Sequence, residues 1–126
     1  MTRALLTATF LLLFPVAQSD PPPLDAPLAL RILPLTQFAP GAVSYRIRID
    51  PHRDNFWFCM GWHSSTAAVA NRTSCQQLNG IYSPRVVYQE YRALAPGTYD
   101  GFVDLYRTPN YRAHTATQSF RVESVR

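Results

Sequence analysis

Lysine is absent from this 126-residue chain, and its twelve cationic residues other than histidine are all arginine. That removes Schiff-base chemistry, a P-loop lysine and a lysine general base from what the protein can do. Glycine occurs only five times, and the Gly-x-Ser-x-Gly nucleophile signature does not occur. No helical periodicity is found beyond the first nineteen residues, and no apolar run reaches the about 20 residues of a membrane span. Cysteine occurs only at Cys59 and Cys75.

What is present begins with an export signal. Arg3 precedes an apolar run over residues 4–14, and Ala17-Gln18-Ser19 places small residues at −3 and −1 before Asp20. Residues 1–19 therefore read as a signal peptide, and the mature chain is expected to be secreted or periplasmic, with no membrane span after cleavage. Residues 20–27 form a proline-rich leader, extended and not expected to pack. What remains, residues 28–126, is enough for one domain and too little for two. The net charge of +4 is first of all a solvated arginine surface and, more weakly, a hint of acidic partners such as anionic glycans. No nucleic-acid partner and no cofactor is expected.

The domain reads as strands separated by turns. Val43, Tyr45, Ile47 and Ile49 alternate with Ser44, Arg46, Arg48 and Asp50, and a one-residue slip would bury two arginines. Leu28, Leu30 and Ile32 form an earlier strand, which Pro34 should kink or hold at a sheet edge. Residues 56–62 are apolar on both parities. Residues 63–82 form an irregular excursion, with one short strand expected near 67–70. Strand character resumes over 85–92, with Val87 and Tyr91 inward. It continues after the Pro96-Gly97 turn, where glycine suits the positive φ often needed after proline. There Tyr99, Val103 and Leu105 oppose Asp100, Phe102, Asp104 and Tyr106. A last strand runs over 115–125, with Ala116, Phe120 and Val122 on one side. About seven strands with turns at roughly ten-residue spacing predict an all-β, antiparallel sandwich.

Leu94-Ala95-Pro96-Gly97-Thr98-Tyr99 resembles the entry to the penultimate strand of fibronectin type III and bacterial immunoglobulin-like domains. The resemblance implies an immunoglobulin-like β-sandwich in which Tyr99 forms a corner, with its hydroxyl bonded to backbone near Leu94, Pro96 and Gly97. It implies a fold and no particular function.

The chemistry-bearing residues are few. In an exported chain two cysteines favour a disulfide, here a staple holding the 63–82 excursion to the 56–62 strand and contributing about 3 kcal/mol. A metal site from Cys59, His63 and Cys75 is the alternative. Positions four apart on a strand lie about 13 Å from each other, which keeps Cys59 and His63 from one ion. The same spacing separates Asp100 from Asp104, too far for a glycosidase pair at about 5–9.5 Å, and no catalytic residue is assigned. Asn71-Arg72-Thr73 fits an N-glycosylation acceptor. Parity places Trp57, Phe102 and Tyr106 on one outer sheet face, edged by Asp100 and Asp104. Either residues 63–82 cover these rings as a lid, or they form a binding patch for a sugar or a protein. The functional expectation is a non-enzymatic module for protein recognition or envelope assembly, with carbohydrate binding through the aromatic patch as the alternative.

Overall fold

The computed structural model describes residues 26–66 and 68–125; the expected signal peptide, most of the proline-rich leader and Arg126 lie outside them. The chain is all-β, with strands β1 (Leu28–Leu33), β2 (Thr36–Phe38), β3 (Gly41–Ile49), β4 (Trp57–Ser64), β5 (Arg72–Gln77), β6 (Val86–Leu94), β7 (Gly97–Thr108) and β8 (Tyr111–Glu123). One 3-10 turn spans Gly80–Tyr82. Three strands form a sheet in the order β1-β3-β6, and five form a second in the order β2-β8-β7-β4-β5. Every pairing is antiparallel except β2 on β8, which is parallel.

The two sheets enclose one core. From β3, Val43, Tyr45, Ile47 and Ile49 are at most 1% exposed, while Ser44 and Arg46 point outward. Leu28, Leu30 and Ile32 meet them from β1; Phe58, Met60 and Trp62 come from β4, Tyr99, Val103 and Leu105 from β7, and Phe120 and Val122 from β8. Removing one such side chain from water stabilises by about 1.5–3 kcal/mol. Five of the core rings close a circuit. Tyr45 meets Tyr91 at 5.0 Å, Tyr91 meets Trp62 at 5.0 Å, Trp62 meets Tyr99 at 5.5 Å, Tyr99 stacks on Phe120 at 4.8 Å, and Phe120 returns to Tyr45 at 6.3 Å. The Tyr45 hydroxyl crosses the core to donate to the Gly61 carbonyl at 2.7 Å, linking the two sheets. Gly101 makes room for that reach: a Cβ there would sit 2.3 Å from Ile32 Cδ1 and 2.8 Å from the Tyr45 hydroxyl.

Several expectations are corrected. Among the described residues the strands number eight, and the sheets are not wholly antiparallel. Pro34 does not kink β1; the strand lies at the edge of its sheet, as the other alternative had it, its pairing with β3 ends before Pro34, and the chain crosses to the other sheet as β2. Gln37 closes that crossover by accepting from the Ala42 amide at 2.7 Å and donating to its carbonyl at 2.5 Å. No strand forms at residues 68–70, which are turn and loop, and residue 67 lies outside the described residues. The strand of the excursion is β5, further on. β8 begins at Tyr111, four residues before the expected start, and ends at Glu123. The end of the leader is held after all: Ala26 O accepts from Arg48 Nη2 at 3.0 Å and Pro27 O from the Asp50 amide at 3.0 Å. The positive φ before the β6–β7 turn belongs to Ala93, at 58°. Gly97 serves close approach instead, since a Cβ would meet Thr66 Oγ1 at 2.8 Å.

Candidate functional site

The outer face of the five-stranded sheet gathers the residues that the sequence singles out for chemistry: Trp57, Cys59, Cys75, Asp100, Phe102, Asp104 and Tyr106. Outward parity on β4 belongs to Trp57, Cys59, Gly61 and His63, and on β7 to Asp100, Phe102, Asp104 and Tyr106. Register lays these out as rows: Trp57 opposite Tyr106, Cys59 opposite Asp104, Gly61 opposite Phe102, and His63 opposite Asp100. Each row continues onto β8, with Thr115 beside Asp104, Thr117 beside Phe102 and Ser119 beside Asp100.

At one end of the face Trp57 and Tyr106 meet edge-on at 6.2 Å, with Phe56 tilted against Trp57 at 4.9 Å. The next row holds the bridge. Cys59 and Cys75 are directly opposed on β4 and β5, with Cα atoms 4.0 Å apart and sulfurs bonded at 2.01 Å. Cys59 is 8% exposed, and Cys75 lies open on an edge strand whose six residues are all exposed. The Asp104 carboxylate accepts from Thr115 Oγ1 at 2.5 Å and lies 3.8 Å from Arg112 Nη1. In the last row Ser119 donates to Asp100 at 2.7 Å.

Phe102 decides what this face is not. It is 6% exposed although it points away from the core. The residue opposite is Gly61, which has no side chain to hold the ring off the sheet. The exposed His63 imidazole stacks on the ring at 4.7 Å with planes 11° apart. Within residues 63–82, His63 covers Phe102, but β5 does not fold across the sheet as a lid, because it pairs in the plane of the sheet. Nor do Trp57, Phe102 and Tyr106 make an open aromatic patch, because the middle ring is covered. Parity had pointed to this: His63 shares the alternation of Trp57 and Cys59, so a strand continuing past Trp62 puts it on the same face.

Gly61 sets the close β4–β5 seam. A Cβ there would lie 1.8 Å from the Arg72 carbonyl oxygen. Arg72 then sends its guanidinium over the rings of Tyr91 at 5.2 Å and Trp62 at 6.0 Å, contacts that favour a cation over an aromatic face. Asn71, just before β5, is exposed, and its side-chain oxygen accepts from the Ser64 amide at 2.7 Å. Tyr99 is fully buried, and its hydroxyl donates to the Ala95 carbonyl at 2.5 Å, between Leu94 and Pro96. Burial raises the hydroxyls of both Tyr99 and Tyr45 above their ordinary range, with Tyr91 adding to the effect at Tyr45. Among the described residues no three of His, Cys, Asp and Glu converge to hold a metal ion.

No family model matches the sequence, and no curated protein matches it. Solved structures do. The superoxide reductase (neelaredoxin) from Ignicoccus hospitalis is 10% identical over 78% of this chain and 81% of its own, with a TM-score of 0.55. Two of its variants are 12% identical over 76% and 79%, also at 0.55. This corrects the immunoglobulin-like and fibronectin type III-like resemblance, because the similar structures belong to a different β fold. It corrects with it the expectation of a non-enzymatic recognition or carbohydrate-binding module, since the proteins sharing this fold are enzymes. The Tyr99 corner does not discriminate between such folds, because its bond spans only four residues. At this identity the likeness carries the fold alone: this chain has the β fold of superoxide reductases.

Proposed function

We propose that the chain works outside the cytosol as a thiol–disulfide redox protein built on the superoxide reductase fold, with Cys59 and Cys75 as its redox couple. The observation that carries this reading is the place of the bridge, on a solvent-facing sheet surface with Cys75 open on an edge strand. Exposed disulfides are the labile and catalytic ones, and such bridges persist only in oxidising compartments. The signal-peptide pattern over residues 1–19 supports the same location.

The exchange balances without any other group. A thiolate attacks Cys75 Sγ, forming a mixed disulfide while the Cys59–Cys75 bond breaks and Cys59 leaves as thiolate. A second thiolate attacks the incoming sulfur, releases Cys75 and leaves two electrons on the protein. The reverse exchange discharges the pair to an external disulfide.

A second reading is favoured by β5 itself. Its exposed side chains leave little besides the backbone ladder to hold it, so the bridge would serve as a structural staple. Equilibration in dithiothreitol and glutathione buffers separates the two. A redox couple exchanges in the folded state at a potential of about −120 to −270 mV, whereas a staple lies below about −300 mV. A bridge that opens only when the whole domain unfolds refutes the redox reading. Processing at Asp20 in exported material checks the location.

A further inference from the structure

The outer face of the three-stranded sheet carries charge that no carboxylate among the described residues answers. Outward parity on β1 belongs to Ala29, Arg31 and Leu33, on β3 to Ser44, Arg46 and Arg48, and on β6 to Val86, Tyr88, Glu90 and Arg92. Register places Arg31 directly opposite Arg46, and Arg46 directly opposite Tyr88. Two arginines facing each other across a ladder repel. Two other arginines of this face have carboxylates, Arg48 with Asp50 at 2.9 Å and Arg92 with Glu90 at 3.0 Å. Among the described residues no carboxylate lies within 4.0 Å of Arg31 or Arg46. Arg46 instead lies 6.0 Å from the centre of the Tyr88 ring, and that ring is 69% exposed.

Leu33 decides the class of ligand. It shares this face at the next outward position from Arg31 and is 54% exposed. Just beyond it in the chain Leu35 and Phe38 are also exposed. A polar polyanion would gain from the arginines and nothing from an aliphatic side chain beside them. A lipid surface uses both, with guanidinium groups on headgroup phosphates and leucine and tyrosine in the interfacial layer. We infer that the Arg31–Arg46–Tyr88 row and Leu33 form a docking surface for anionic phospholipid, holding the domain against a membrane face without spanning it.

The test is co-sedimentation of the full chain with vesicles of phosphatidylglycerol and phosphatidylcholine in equal parts, and with vesicles of phosphatidylcholine alone. Variants are compared within one chain, so any contribution of the leader cancels. The expected result is binding to the anionic vesicles that weakens as salt rises. Arg31→Gln and Arg46→Gln should each lower partitioning about fivefold, and Leu33→Ser should lower it further. Thermal stability should hold or rise in the arginine variants, which separates lost docking from lost folding. Equal binding to both vesicle types overturns the proposal, as does wild-type partitioning by the double arginine variant. Indifference to Leu33→Ser, or retention on a sulfated polysaccharide or single-stranded DNA with none on vesicles, shows a polar polyanion instead and overturns the lipid assignment.

Discussion

The outer faces of the two sheets are built on the same alternation and finished in opposite ways. On the five-stranded sheet each central polar group is answered from a neighbouring strand. Ser119 answers Asp100, Thr115 and Arg112 answer Asp104, and His63 lies flat on Phe102. On the three-stranded sheet Arg31 faces Arg46, and no carboxylate meets either among the described residues. Inward faces leave little choice, because a buried arginine is costly. Outward faces are free to be matched or left open. A matched face stabilises the sheet it covers, while an open one gives up a little stability.

Breaking the matched face should cost the most. Gly61→Ala drives a Cβ to 1.8 Å from the Arg72 carbonyl. Backbone cannot yield as a flexible side chain does, so the loss should be about 3 kcal/mol or more in chemical denaturation. Hydrogen exchange should then show β5 opening first. Phe102→Ala should cost nearly as much, about 3 kcal/mol, because the ring is buried beneath His63 although outside the core. Wild-type stability in that variant would mean the ring is not covered.

The inter-sheet link provides a middle-sized test. Tyr45→Phe removes the bond to the Gly61 carbonyl and should cost about 1–2 kcal/mol. The raised hydroxyls of Tyr45 and Tyr99 also set a pH dependence. Above the ordinary value of 10.0 the unfolded chain ionises its tyrosines while the folded chain keeps these two protonated. Their contribution is thus fully present below pH 10 and is lost as pH rises past it. Denaturation followed from pH 8 to 11 should show that fall, flattened in Tyr45→Phe. The open face should show the smallest effect, and of opposite sign. Arg31→Gln should raise stability by about 0.5 kcal/mol by relieving the facing pair, and a loss of stability would mean that Arg31 is answered after all.

Much of the fold was legible in the residues, for local reasons. The 43–50 alternation read directly as β3, because burying arginine is costly enough to exclude the other register. The outward parity of Trp57, Asp100, Phe102, Asp104 and Tyr106 followed from strand periodicity alone, and Tyr99 meets a carbonyl four residues away. The failures were of longer range. Residues 68–70 looked like strand by composition, yet the polar stretch 72–77 forms β5, because an edge strand is fixed by the ladder and needs no apolar side. The sequence held no signal that Pro34 would pass the chain between sheets. Immunoglobulin-like kinship was inferred from six residues whose geometry is closed within those residues, so they could not specify how the strands are arranged.

What the sequence by itself determined is which side of each strand faces in, since side-chain period and the cost of burying charge need no partner to be known. Only the tertiary structure decided which strands are neighbours. That choice placed Cys75 against Cys59, His63 over Phe102 and Arg31 against Arg46. The physical reason is that alternation chooses a face, whereas pairing across a sheet depends on contacts between residues distant in the chain, and no local pattern encodes them.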